Sequence, residues 1–270
     1  TAFRDVHERD LVVDIGSALA TLLTQNPHYD VMLARTKDAW HPVLQTYFDT
    51  YAADIVHFID VQKSQMTALI NDGRLAVEPE QVSHNTTPLP AAIQLYGINK
   101  WTSENHIDIT LHLHLNDYAR RKGVVGKYDG FTIYAPDHQY SNARASLALA
   151  HAIAARLNAY HATSTLPIED KGVVEDQSLI AIGSNNTTDN VSLLIEYGYI
   201  YEPQFQQPSV RPVALADYAY QTYLGLQDFM NDPVSATYGS VSFPYDWNLV
   251  HPGKKAGSDI YALQAALRYL

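Results

Sequence analysis

Cysteine is absent from the 270-residue sequence. The chain therefore has no disulfide bond, no thiolate metal ligand and no cysteine nucleophile, so any metal ion must be bound by His, Asp or Glu. Two catalytic motifs are also missing. Without Gly-x-Ser-x-Gly the nucleophile elbow of α/β-hydrolases is not indicated, and without His-Glu-x-x-His the zinc-protease helix is not indicated.

Basic residues are scarce, with 18 Lys and Arg against 29 Asp and Glu, which gives a formal net charge of −11. A nucleic-acid-binding surface needs a basic face, so we expect no nucleic-acid partner. No apolar run approaches the roughly 18 residues of a membrane span, so we expect none. Hydrophobic residues make up 46% of the chain, which is enough for a sizeable buried core.

Hydrophobic periodicity predicts an alternation of helices and strands. Apolar residues recur at three- to four-residue spacing and predict four helices, over residues 8–24, 41–71, 141–160 and 212–230. Short runs rich in β-forming residues predict strands at residues 29–34, 106–114, 131–134, 179–182 and 191–196. This alternation is typical of the α/β class, with a mixed, mostly parallel sheet flanked by helices on both faces.

Irregular composition marks the segments between these elements. Residues 72–106 show no sustained period and contain several prolines, so we expect an inserted cap within a domain that spans residues 1–231. Prolines and glycines in residues 232–256 predict a linker. Residues 257–270 then begin a new helix.

Two histidines two positions apart, His112 and His114, are candidate metal ligands. Alternate residues of a strand point to the same face of the sheet, and neutral imidazole suits zinc. The same pair also occurs as ordinary polar residues near the end of a strand. Asn116 follows, at the end of the strand, and is a candidate to orient a ligand.

Glu196 closes the apolar run of residues 191–196. Desolvation at such a place raises a carboxyl pKa toward the range of a general base, although a salt-bridged glutamate fits the place equally well. Glu8 lies at a helix start, where the macrodipole alone favours it. We expect Glu169 and Glu175 to be solvated loop charges, and the other histidines lack partners at ligand spacing.

Four segments, taken in order, resemble the N-acetylmuramoyl-L-alanine amidase family of zinc-dependent cell-wall hydrolases. The family places a metal-binding Glu at the start of a long helix, and Glu8 is similarly placed. A strand ending in Arg follows, as at Arg35. A strand of the form Ser-Ile-His-x-Asn resembles the segment that holds His114 and Asn116. Finally, a strand ending in the catalytic Glu resembles the run that ends at Glu196.

The resemblance implies a three-layer fold, a Zn²⁺ cofactor bound by Glu8 and His114, and Glu196 as the catalytic carboxylate. It implies positions beside the metal or the substrate for His112, Asn116, Arg35 and Tyr197. The implied reaction is hydrolysis of the amide between N-acetylmuramic acid and the first L-alanine of the peptidoglycan stem peptide. A catalytically inactive wall-binding module and a zinc peptidase acting on cross-links are the alternatives.

The sequence departs from the family at three points. His112 stands where Ser is usual, and Glu202 stands where the family has Asn. The family's first zinc ligand is a His in a Gly-His-Gly turn upstream of the Glu, and we expect that residue in a longer natural protein. His7 is a poor substitute, because adjacent side chains on a helix diverge.

Residues 257–270 resemble the first helix of a peptidoglycan-binding repeat domain. This second resemblance is independent of the first and implies the same substrate, peptidoglycan. The two together imply a secreted bacterial protein of the cell envelope, periplasmic or extracellular.

Overall fold

The structure is a computed structural model that describes residues 1–79, 87–117 and 122–231, together with 253, 260 and 263. The predicted linker at residues 232–256 and the predicted helix at residues 257–270 lie outside the described residues, those three positions excepted. Both therefore stay predictions.

Helices account for much of the described chain. They are α1 (Glu8–Leu23), α2 (Pro42–Thr50), α3 (Ala52–Asn71), α4 (Leu89–Glu104), α5 (Ala143–Asn158), α6 (Pro203–Gln206) and α7 (Arg211–Met230). Three of the four predicted helices correspond to α1, α5 and α7. Residues 41–71 form two helices rather than one, because the backbone of Tyr51 leaves the helical conformation. Within the described residues, no helix combines the length and apolarity needed to cross a membrane.

Strands form a short hairpin and one four-stranded sheet. The hairpin joins β1 (Ala2–Phe3) to β2 (Val6–His7), and the sheet contains β3 (Ile109–Asn116), β4 (Thr132–Pro136), β5 (Val173–Asp176) and β6 (Val191–Tyr199). The strand order is β3-β6-β4-β5. Strands β3 and β6 are parallel, β4 and β5 are parallel, and β4 runs antiparallel to β6. The expected mixed, mostly parallel sheet is confirmed.

Alternate residues of β6 enter two different layers. Leu193 and Ile195 face the main core, which α1, α5 and α7 cover. Leu194 faces the other side and packs with Tyr134 against a 3₁₀ turn, Ile180–Ile182. Helices α2, α3 and α4 enclose a smaller core of their own beside this layer. The sheet is thus covered on both faces, as the period-two pattern of a buried strand requires.

Two predicted strands are wrong. Residues 29–34 pair with no strand in the described structure, and Met32 and Leu33 are each 38% exposed; a run of β-forming residues becomes a strand only where it finds a hydrogen-bonding partner. Residues 179–182 form a 3₁₀ turn, because Asp176 accepts hydrogen bonds from the next backbone N–H groups and starts a turn there.

Five of the strands and α-helices were not predicted: the short strands β1 and β2, strand β5, and helices α4 and α6. Helix α4 occupies residues 89–104, so that half of the supposed cap is regular structure, packed against α2 and α3. Its weak amphipathic pattern reflects burial on more than one side. The sequence pattern did not predict strand β5 because half of its residues are Glu and Asp, which are depleted in strands.

Close contact between α5 and α7 depends on Gly225. A Cβ placed there would lie 2.5 Å from Ile153 Cα, whereas a Cβ at Gly16, in α1, would meet its neighbours at 3.4 Å and 3.6 Å. We expect Gly225→Ala to lower the free energy of unfolding by about 1–3 kcal/mol through overpacking. Gly16→Ala is the control and should be neutral or stabilise by about 0.5–1 kcal/mol. Urea unfolding of both variants measures this, and equal effects would contradict the packing.

Candidate active site

The candidate active site lies where β3 and β6 run side by side. His114 pairs in register with Glu196, so both side chains leave the same face of the sheet. The β1–β2 hairpin places the start of α1 over β3, and Glu8 Oε1 lies 2.9 Å from His114 Nδ1. The same oxygen accepts a hydrogen bond from Leu115 N at 3.1 Å. The structure therefore brings together the three residues that the sequence singled out.

Glu8 is held as an anion. Burial alone would raise the pKa of its carboxyl, but the hydrogen bond with His114, the charge of that imidazole and the nearby Thr1 nitrogen together lower the pKa to about 2. The Thr1 nitrogen lies 2.6 Å from Glu8 Oε2. A carboxylate fixed in this way is a constant negative charge beside His114.

The side chain of His114 is partly accessible to solvent, with 41% of it exposed. Desolvation by the surrounding protein would by itself lower the pKa of His114, because it disfavours the charged imidazolium. The hydrogen bond with Glu8 and the negative charges of Glu196 and Glu8 outweigh that effect, so the pKa of His114 is raised. Its electrostatic environment therefore favours a cation.

Glu196 Oε2 and His112 Nε2 are buried, and neither atom has a hydrogen-bond partner among the residues that the structure describes. Burial raises the pKa of Glu196 to about 8, and the charges of Glu8 and Glu169 add to that effect against the charge of His114. Burial, with the charge of His114 adding to it, lowers the pKa of His112 to about 3, so this imidazole is neutral. Such orphaned atoms on one face of the sheet are unusual in a folded interior.

A second buried carboxylate, Glu169, lies beneath the site. It is 0% exposed and accepts hydrogen bonds from Tyr134 Oη at 2.5 Å, Tyr199 Oη at 3.2 Å and Asn116 Nδ2 at 3.4 Å. The expectation of a solvated loop charge is wrong for Glu169. Its three partners come from three separate strands, so no local sequence pattern indicates the arrangement.

Two of the expected site residues point elsewhere. Tyr197 is fully buried in the main core, because it leaves β6 on the face opposite to Glu196, and it hydrogen-bonds Thr222. Tyr197 therefore cannot contact a substrate bound at His114 and Glu196. Arg35 donates to the carbonyls of Thr36 and Lys37 within its own loop, and no contact among the described residues joins it to the site.

Glu202, which stands where the family has Asn, holds the turn after β6. Its Oε1 accepts hydrogen bonds from Tyr199 N at 2.6 Å and Gly130 N at 3.0 Å. A Cβ at Gly198 would lie 2.8 Å from that same oxygen, and the φ angle of Gly198 is 151°. Glycine is therefore required there for the carboxylate to reach its partners.

Comparisons with solved structures identify the architecture. The CwlD amidase of Clostridioides difficile, solved in complex with the GerS lipoprotein, has a TM-score of 0.52 over 85% of this chain and 91% of that chain, at 16% identity. The chain has the fold of this amidase. The catalytic domain of CwlV from Bacillus (Paenibacillus) polymyxa, an N-acetylmuramoyl-L-alanine amidase, gives a TM-score of 0.49 at 12% identity over 84% and 87% of the two chains. No protein-family model and no curated protein matches the sequence.

The raised pKa of Glu196 predicts a pH dependence of stability. Between pH 4.5 and about 8 the unfolded chain loses this proton while the folded chain keeps it, so folding is destabilised as the pH rises through that window. Glu196→Gln removes the penalty. We expect the substitution to stabilise the protein by about 5 kcal/mol more above pH 8 than below pH 4.5.

Urea unfolding of wild-type and Glu196→Gln protein, in EDTA across this pH range, measures the difference. Glu104→Gln, on the surface of α4, is the matched control and should show no rise in stability above pH 8. An unfolding free energy for Glu196→Gln that runs parallel to the wild type at every pH would contradict the raised pKa.

Proposed function

We propose that this chain hydrolyses the amide bond between N-acetylmuramic acid and the first L-alanine of peptidoglycan stem peptides, with Zn²⁺ as cofactor. The observation that carries the proposal is the in-register pair of His114 and Glu196, with Glu8 opposite, on the fold of a cell-wall amidase. The position of these groups at the carboxyl ends of parallel strands is the usual place for a site in such sheets.

The residues present fit a zinc ion. Glu8 and His114 offer one carboxylate and one imidazole, both common zinc ligands. Glu8 Oε1 and His114 Nδ1 lie 2.9 Å apart and share a hydrogen bond. A cation between these two atoms, in place of the shared proton, would be bound by both. Glu8 and His114 would hold the ion. Zn²⁺ bound there would supply a Lewis acid beside Glu196.

Glu196 is the general base of the proposed reaction. It takes a proton from the attacking water and passes it to the leaving amine. Among the described residues its Oε2 has no hydrogen-bond partner, so this oxygen is available to the water. In the metal-free protein burial raises the pKa of this carboxyl to about 8, and the charge of a bound Zn²⁺ would lower it, so that the carboxylate could accept the proton of water near neutral pH.

The neighbouring groups hold the base in place and set its charge. Glu8 stays ionised and His112 stays neutral through the catalytic pH range, because their pKa values lie near 2 and 3. Glu169 joins the ends of β3 and β6 to the middle of β4 through Asn116, Tyr199 and Tyr134. The reacting carboxylate therefore rests on strands that are joined to one another beneath it.

Peptidoglycan is the proposed partner, and the bacterial cell envelope, outside the cytoplasmic membrane, is the proposed location. The proposed substrate class is supported by the likeness to the CwlD amidase and by the resemblance of residues 257–270 to a peptidoglycan-binding repeat. The negative net charge is compatible with a glycan-peptide polymer.

Glu196→Gln tests the proposed mechanism in the full-length, zinc-loaded protein. We expect the rate of peptidoglycan hydrolysis to fall by about 10²-fold or more, because the base is lost, while zinc content is unchanged. His114→Ala should lose the activity and the zinc ion that Glu8 and His114 would hold. Glu104→Gln should keep the wild-type rate, since this residue lies on α4 outside the site.

The products distinguish the candidate functions. An amidase releases free α-amino groups of L-alanine, whereas a peptidase acting on cross-links creates other peptide termini. If Glu196→Gln hydrolyses peptidoglycan at the wild-type rate, the proposed role of Glu196 is wrong. If the zinc-loaded protein binds cell walls and releases no amino groups, the chain is an inactive wall-binding module.

A further inference from the structure

A second group of metal-binding side chains lies at the ends of β4 and β5. It consists of Asp137, His138 and Glu175, whose ligand atoms all lie within 4.8 Å of one another. The sequence indicated no partner for His138 at ligand spacing, and that expectation is wrong. Strands β4 and β5 are parallel neighbours, with Ala135 opposite Glu175, so residues distant in sequence meet where the two strands end.

The donor atoms have the spacing that a metal ion requires. His138 Nδ1 lies 3.1 Å from Glu175 Oε2 and 3.7 Å from Asp137 Oδ2. With metal–ligand bonds of about 2.1 Å, neighbouring ligand atoms of a tetrahedral site lie roughly 3.4 Å apart. One ion between these three atoms would therefore need only small side-chain adjustments.

Asp137 provides a second, independent observation. Its side chain is only 5% exposed. Oδ1 accepts a hydrogen bond from Gln139 N, but among the described residues no hydrogen bond reaches Oδ2, which is directed toward the imidazole of His138. A charged oxygen held beside an imidazole in this way is open to a cation, which would balance its charge.

The surroundings hold the three side chains in position. Glu175 Oε2 also accepts a hydrogen bond from His138 N at 2.8 Å. Gln139 follows the end of β4 by three residues and Gln177 follows β5 directly, and both side chains hydrogen-bond the backbone of Ala76. The segment after α3 is thus tied across both strand ends, beside the metal-binding group.

A cavity of about 830 Å³ opens onto the same group, and Asp137, His138 and Glu175 form part of its wall. Three protein ligands leave the fourth position of a tetrahedral ion open. An ion held here would present that position to the cavity.

This group is separate from the candidate active site. Because β4 runs antiparallel to β6, with Thr132 opposite Glu196, the carboxyl end of β4 lies at the opposite end of the strands from Glu196. The four residue steps from Thr132 to Pro136 alone span about 13 Å. The Asp137 group therefore cannot share an ion with Glu8 and His114.

We propose that Asp137, His138 and Glu175 bind a divalent transition-metal ion of the Zn²⁺ class. One imidazole with two carboxylates suits Zn²⁺ or Mn²⁺ better than the all-oxygen sites of Ca²⁺ and Mg²⁺. The ion joins the ends of β4 and β5 and offers an open coordination position to the adjoining cavity. This site does not depend on the proposed amidase activity.

The test is Zn²⁺ binding by calorimetry and Co²⁺ binding by visible absorption, on EDTA-treated full chain carrying His114→Ala. That background weakens binding at the candidate active site. We expect one equivalent of Zn²⁺ to bind. His138→Ala, added to this background, should weaken binding by about 100-fold, and Glu175→Gln by at least tenfold, because each removes one ligand.

Both substituted side chains are substantially exposed, His138 by 63% and Glu175 by 40%, so neither variant removes core packing. His57→Ala, at an exposed position on α3, is the matched control and should bind Zn²⁺ like the parent. Thermal unfolding in EDTA verifies that all variants are folded. The proposal is overturned if the parent binds no Zn²⁺ at millimolar concentration, or if His138→Ala and His57→Ala bind it equally.

Discussion

The contact between Glu8 and His114 is the interaction on which the candidate active site depends. One carboxylate oxygen of Glu8 hydrogen-bonds both the imidazole Nδ1 of His114 and the backbone N–H of Leu115. These two contacts fix the start of α1 against β3, the edge strand of the sheet. The same contact sets the electrostatics. It keeps Glu8 ionised and raises the pKa of His114. Burial raises the pKa of Glu196, in register with that histidine, to about 8, so two carboxylates close to one imidazole have widely separated pKa values, one fixed as an anion and the other able to exchange a proton.

The rest of the fold keeps this contact in place. Helices α1, α5 and α7 cover one face of the sheet, and the closeness of α5 to α7 at Gly225 leaves no room for a side chain. On the other face, Glu169 joins the three strands beneath Glu196. Antiparallel β4 ends away from the active site and close to Glu175, which lies on the parallel neighbour β5. One small sheet therefore has two groups of potential metal ligands, at opposite ends of its strands.

Sequence reasoning succeeded where a signal was local and periodic. The spacing of apolar residues gave α1, α5 and α7, and the alternation around His112 gave β3. Order along the chain, through the family resemblance, brought Glu8, His114 and Glu196 together. Sequence reasoning failed where tertiary contacts decide the structure. Residues 29–34 have the composition of a strand but no partner, Tyr197 alternates into the core, and Glu169 owes its burial to three strands that no local pattern connects.

The proposed active site requires a zinc ion between Glu8 and His114. Anomalous X-ray scattering at the zinc edge, on crystals of the full-length protein, gives the position of the ion without reference to activity. We expect a peak within about 2.2 Å of a Glu8 oxygen and a His114 nitrogen, with Glu196 beside it. An intact hydrogen bond between Glu8 and His114 in zinc-saturated crystals, with no peak between them, would contradict it.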